Sequence, residues 1–200
     1  MHARDARHDG VADLCAAIYR EAGYRSHRET EVPGVLTKQK KNPIVADVLV
    51  RARAPATWEC AEVKCRHFFN GDEALSISSA KDIDAELKAV EAAVHAKYTP
   101  VRVRPWVLTS LGRPGEGLVT DLRRLARARL RLADVSDAVS LPSVMQFLLY
   151  RWRAELSCAA VMGDTEIYLD AVQDGVPRAG RDVARVDIHV YDLVPTRLGN

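Results

Sequence analysis

Ile44-Val45-Ala46-Asp47-Val48-Leu49-Val50 is an almost unbroken apolar run with a single carboxylate at its centre. A short apolar run of this kind reads as a strand covered on both faces. The charge within it needs a partner or a metal, since an unpaired buried carboxylate costs on the order of several kcal/mol. Downstream, Pro55-Ala56 marks a short turn, and Trp58 to Cys65 can pair back as an antiparallel strand in which Glu62 and Lys64 share one face. Upstream, Tyr24 to Val32 reads as a polar strand, Pro33-Gly34 as a turn, and Lys38-Gln39-Lys40-Lys41-Asn42-Pro43 as an exposed basic loop. A first helix precedes these strands. Val11, Leu14, Ile18 and Ala22 follow helical spacing, with Asp9 placed to cap its start and Gly23 its end.

Beyond the central pair, Ile83, Leu87, Val90 and Val94 mark a second amphipathic helix from about Ser79 to Lys97. Val101 to Leu108 reads as a fourth strand. A third helix near Glu116 to Arg129 carries Leu118, Leu122 and Leu125 on one side and Arg123, Arg124 and Arg127 on another. A fourth begins near Pro142, with Val144, Leu148, Trp152 and Leu156 turned to a core, and Asp164 is placed to cap a short fifth. Val183 to Val194 alternates as a half-exposed strand. The expected architecture is α/β, a mixed central sheet flanked by helices, with C-terminal helices and a short strand; residues 1–174 form one domain and 175–200 an extension.

With 48% hydrophobic and 28% charged residues the chain has the composition of a globular protein, not of a disordered one. Its apolar runs are too short to span a bilayer and its N-terminus lacks a signal pattern, so an intracellular protein of nucleus or cytoplasm, without a membrane partner, is expected. Cys15, Cys60, Cys65 and Cys158 form no CxxC pair, which argues against a self-contained zinc site. The net charge of +2 excludes a uniformly basic nucleic-acid binder. Charge is nevertheless uneven: from Val101 to Arg131 eight arginines stand against Glu116 and Asp121, whereas from Asp164 onward seven acids stand against four arginines.

Asp47 and Glu62, on neighbouring strands, supply hard oxygen ligands of the kind Mg²⁺ takes, with Mn²⁺ as a substitute. Lys64 projects from the same face, where it can orient a water or neutralise charge on an attacked phosphate. Glu31, and after it Glu29, is a candidate third carboxylate, so the candidate catalytic set is Asp47, Glu62, Lys64 and Glu31. His8, ahead of the first helix, can approach the site or a phosphate, although a surface histidine flanking the helix is the commoner reading, and His67 is similar. Candidate phosphate contacts are Lys38, Lys40, Lys41, Lys97, Arg102, Arg104, Arg123, Arg124 and Arg127.

Read together, several segments carry a resemblance: Ala6-Arg7-His8-Asp9 opening the first helix, Ala46-Asp47-Val48-Leu49 after a lysine-rich loop, Lys97-Tyr98 ending the second helix, Trp106-Val107-Leu108-Thr109-Ser110-Leu111-Gly112, and Arg151-Trp152-Arg153 followed by Leu156-Ser157. The chain resembles, over roughly residues 6–172, the restriction-enzyme-like endonuclease domain at the C-terminus of certain non-LTR retrotransposon reverse transcriptases. The resemblance implies a PD-(D/E)xK fold and a nickase acting on DNA. A reverse transcriptase or other targeting domain would be its partner, and a dimer is compatible with it. Asp47 matches that family's metal-binding aspartate, and Glu62 and Lys64 its acid-x-Lys positions. Ala46 stands where the class has proline. Residues 175–200 lie outside the resemblance, and neither reverse transcriptase motifs nor a zinc knuckle occur. Two other readings compete: a catalytically silent nucleic-acid-binding module, and an assembly protein that pairs through an exposed strand edge.

Overall fold

The computed structural model describes residues 3–36, 43–51, 57–66, 69–70, 73–74, 80–98, 101–133 and 141–173. The elements run α1 (Ala3–Glu21), β1 (Arg25–Leu36), β2 (Pro43–Arg51), β3 (Trp58–Arg66), β4 (Phe69–Asn70), β5 (Glu73–Ala74), α2 (Ala80–Lys97), β6 (Val103–Thr109), α3 (Glu116–Leu132) and α4 (Leu141–Gln173). The protein is α/β, with a four-stranded mixed sheet in the order β1-β2-β3-β6 and a separate two-stranded pair, β4-β5. The first three strands pair antiparallel as hairpin-connected neighbours, while β6 lies parallel to β3. A parallel pair needs a long crossover, and α2 is part of it.

Helices cover both faces. On one, Val11, Cys15 and Tyr19 of α1, Leu118, Leu122 and Leu125 of α3 and Trp152 and Leu156 of α4 pack with Val48, Val50, Ala61, Val63, Trp106 and Leu108 of the sheet. On the other, Val94 of α2 and Tyr98 just beyond it pack on Ile44, Ala46, Leu49, Cys60 and Val103, while Leu87 and Val90 cover Val107. β2 is covered on both faces only in its second half, because Pro43 and Val45 are exposed.

Helix α1 begins earlier than the capping signal at Asp9 indicates. The segment from Ala3 onward is helical, and Arg7 within it is buried against α4, so docking on a neighbour extends the helix past a local start signal. Its end matches the expectation at Gly23: with φ 85°, the N–H of Gly23 donates to Arg20 O and that of Tyr24 to Tyr19 O, the two bonds of a Schellman ending. Pro33-Gly34 is not a turn. It lies inside β1, where the register with β2 shifts between Glu31 and Leu36 and Gly34 takes φ 73°. The extra residues are absorbed as an irregularity of the strand.

The fourth and fifth helices are one helix of 33 residues, α4. Gly163-Asp164 does not break it, because Gly163 is the point where α4 crosses α1: a Cβ there would stand 2.3 Å from Arg7 Cβ and 2.5 Å from Arg7 Cα. Gly163→Ala should therefore destabilise the fold by about 1–3 kcal/mol, against the slight gain alanine gives an exposed helix. Urea unfolding checks this, and an unchanged midpoint would show that the crossing yields freely. The basic loop with Lys38, Lys40 and Lys41, and the terminal strand at 183–194, lie outside the described residues.

Candidate active site

The β2–β3 ladder runs from Arg51↔Trp58 to Val48↔Ala61; the next step would place Asp47 opposite Glu62. Instead, Asp47 Oδ2 accepts the backbone N–H of Val63 at 2.7 Å, so a side chain takes over where backbone pairing ends. The other flank of Asp47 is irregular too. The β1–β2 pairing passes from Arg28↔Val48 to Thr30↔Ala46 without a Glu29–Asp47 pair, and Glu29 has φ 44°, a left-handed conformation that side chains seldom adopt. Facing changes there as well: Val48 and Val50 join the α1/α3/α4 core, whereas Ala46 joins the α2 side despite strand alternation.

At this break several ionisable groups meet. Lys64 Nζ lies 2.7 Å from Glu62 Oε1 and 3.9 Å from Asp47 Oδ2. Lys97 Nζ lies 2.9 Å from the same Glu62 oxygen, and the Tyr98 hydroxyl donates to Glu62 Oε2. His8 Nε2 lies 3.2 Å from Asp47 Oδ2, and its Nδ1 is 3.4 Å from Asp9 Oδ1. Arg28 closes the ring, donating to Asp47 O at 2.9 Å and contacting Asp9 Oδ1 at 3.3 Å. Glu62 is 1% exposed while Lys64 is 37% exposed along its side chain, so the acid is fixed in the wall and the ammonium reaches toward solvent.

The electrostatics follow from these contacts. Burial raises the Asp47 pKa, but the hydrogen bond and charge of His8, then the Lys64 charge and the Val63 amide, outweigh it and hold the carboxyl below its ordinary 3.8. The hydrogen bond to Asp47 raises His8 above 6.5, against partial burial. Burial and the bond to Glu62 keep the Tyr98 hydroxyl protonated. For stability, the raised His8 contributes fully below its unfolded value near 6.5 and loses its contribution as pH rises through the higher folded value. The depressed Asp47 contributes above its unfolded value and loses it as pH falls through the lower folded one. In EDTA, His8→Gln should therefore flatten the fall in melting temperature of the wild type from about pH 6 to 8.5. Equal falls in both proteins would remove His8 from the pair.

No family model and no curated protein sequence matches this chain.

The expected residues divide into those the fold gathers and those it sends elsewhere. Asp47, Glu62 and Lys64 come together, and Lys97 joins them as a partner of Glu62. Glu31 is exposed, pairs with Val45 through its backbone, and is not among the described side chains that meet Asp47 or Glu62. Arg104 and Arg124, expected to face phosphates, are half-buried and engaged by acids of the protein. Arg104 Nε lies 3.2 Å from Glu59 Oε2, and Arg124 Nε donates to Asp121 Oδ1 at 2.7 Å, below the opposite face of the sheet. The exposed Arg102 also holds Glu59, at 3.1 Å. Arg123 and Arg127 are exposed on α3. Of the two readings of His8, the structure bears out the approach to the site and not the helix-flanking surface position, which rests on a helix start at Asp9. Once α1 runs through it, His8 sits at i−3 and i−4 from buried Val11 and Ala12. Tyr98 had a readable signal of its own, since it continues the Leu87, Val90, Val94 stripe by one turn.

Asp47 and Glu62 are hard oxygen donors, the type a divalent cation such as Mg²⁺ takes. Asp47 and Glu62 oxygens already converge on one positive charge, the Lys64 ammonium. Among the described residues there is no group of three or more His, Cys, Asp or Glu side chains able to hold a metal. Two carboxylates suit Mg²⁺, which keeps waters and phosphate oxygens in its remaining positions, and do not suit a closed zinc site.

Proposed function

We propose that the protein is a metal-dependent endonuclease of the PD-(D/E)xK class that hydrolyses DNA phosphodiester bonds, by nicking or structure-directed cleavage. The observation that carries this reading is the meeting of Asp47, Glu62 and Lys64 where β2 and β3 part, with the two carboxylates drawn to one ammonium. Asp47 and Glu62 would hold Mg²⁺ or Mn²⁺. The bound ion supplies Lewis-acid polarisation of the phosphate and a more acidic water. The chain's own groups do the rest. Val63 N–H and His8 fix one oxygen of Asp47, and Tyr98 and Lys97 fix Glu62, so neither carboxylate needs to reorganise. Lys64, the most exposed of the three, offers positive charge and a proton donor beside both acids.

The link to a mobile element, and a reverse transcriptase or other targeting domain as partner, rest on the resemblance of the sequence segments. Among the described residues no helix is long and apolar enough to cross a membrane. A second reading, a silent nucleic-acid-binding module, draws on a specific feature: both Glu62 oxygens are already satisfied by Tyr98, Lys64 and Lys97, as in a purely structural ion network. Incubating supercoiled plasmid with the protein and Mg²⁺ or Mn²⁺ separates the two. Nicked or linear product that EDTA suppresses supports the nuclease; intact plasmid, with salt-sensitive DNA binding retained, supports the module.

A further inference from the structure

The outer face of α3 carries Arg123, Arg127 and Arg131, four residues apart and all exposed. None has a hydrogen-bond or acidic partner among the described residues, whereas their neighbour Arg124 is bound to Asp121. At about 1.5 Å rise per residue the Cα positions of the three arginines are spaced by roughly 6 Å along the helix axis. The opposite side of α3, through Leu118, Leu122, Leu125 and Leu130, is packed in the core on the sheet face away from Tyr98 and Glu62. The stripe thus lies across the sheet from Glu62, Lys97 and Tyr98, on the outer side of a helix ~10 Å thick that shares its sheet face with α1, the helix that brings His8 to Asp47. Its C-terminal end opens on a cavity of about 360 Å³ lined by Arg127, Leu130, Arg131, Leu141, Pro142 and Met145.

We infer that α3 and the start of α4 form a second nucleic-acid site, distinct from the cleavage centre, which holds a single DNA strand. The three arginines contact successive phosphates, and the aliphatic floor between Leu130 and Met145 takes an unpaired base from that strand. A duplex keeps its base faces stacked inside, offering phosphates and base edges only, so a single strand alone uses both features. The inference rests on the nucleic-acid reading above but not on cleavage. A protein gripping a strand away from its cutting centre holds DNA at two places, as an enzyme acting at branches or displaced strands requires.

The test is fluorescence anisotropy of the full chain with a labelled single-stranded DNA probe of about 20 nucleotides and the matching duplex. Both are measured in EDTA across a salt series, so that cleavage does not enter. Each phosphate contact to a single strand contributes about 0.7 to the slope of log affinity against log salt. The combined variant Arg123→Gln, Arg127→Gln, Arg131→Gln should lower the slope by about 2. Arg153→Gln, an exposed arginine on α4, should lower it by less than 1, roughly the loss of one contact at most. That pattern, with the single strand bound more tightly than the duplex, supports the site. A slope unchanged in the triple variant, a duplex preference, or no binding of either probe at low salt overturns it. Because no metal is present, failure of the strand site and failure of the nuclease reading give separate results.

Discussion

Asp47→Ala and Glu62→Gln should each reduce metal-dependent DNA cleavage by about 100-fold or more, a typical loss when one preorganised charge-stabilising group is removed from an active centre. Asp47→Ala removes one of two carboxylates that converge on Lys64 and also frees the Val63 amide it accepts. Glutamine is the better replacement at 62. It keeps an acceptor for the buried Tyr98 hydroxyl, so the loss reports charge and not a collapsed wall. Lys64→Ala should fall in the same range, because Lys97 can still neutralise Glu62 but does not approach Asp47. The fold should persist in all three, with near-native circular dichroism. Turnover of any variant within about threefold of wild type, well below the loss expected for a catalytic group, would show that the cluster is not where the reaction occurs.

Asp121→Ala should have the largest effect on stability, roughly 3–5 kcal/mol, because it strips a buried charge network of its centre. Asp121 is 2% exposed and bonded on every side. Tyr19 Oη and Trp106 Nε1 donate to its Oδ2, and Arg124 Nε to its Oδ1, with Arg104 3.9 Å away. Arg124 also lies 3.7 Å from Glu59 and packs over the rings of Tyr19 and Tyr24. Alanine would leave two aromatic donors and a guanidinium without their acceptor. Asp121→Asn keeps an acceptor for Tyr19 and Trp106 and should cost less than half as much. For a chain of this length the alanine loss corresponds to a fall of roughly 6–20 °C in melting temperature. A loss under about 1 kcal/mol, the scale of an exposed pair, would mean that water replaces the carboxylate readily.

Two acids, the partly exposed Asp47 and the buried Asp121, show what a linear reading can and cannot find. Asp47 was legible because its flanks are apolar on both sides, so the carboxylate had to be explained, and the following strand offered Glu62 and Lys64 at period two. Asp121 sits among arginines in an amphipathic helix, where an acid looks like a solvated counter-ion; its burial comes from Trp106 and Tyr19, 15 and 102 residues away. Arg104 is likewise held from a distance, by Glu59, while Arg124 bonds Asp121 within its own helix and reaches Tyr24 and Glu59 across the fold. Helix ends were legible where glycine sets them, as at Gly23, and not where packing overrides a local signal, as at Asp9 and Gly163. The antiparallel pairing of β2 with β3 followed from the hairpin spacing, whereas the parallel place of β6 beside β3 and the break in both ladders at Asp47 have no signature in composition or period.

The most direct measurement of the central claim is calorimetric titration of the metal-free protein with Mn²⁺, beside Asp47→Ala and Glu62→Gln. Binding to the wild type that is lost, or weakened at least about tenfold, in both variants would place a divalent ion between the two carboxylates, as ligand removal should. Binding that is unchanged in both, or absent from the wild type at millimolar ion, would contradict a metal centre at Asp47 and Glu62 and leave the cluster an internal ion network.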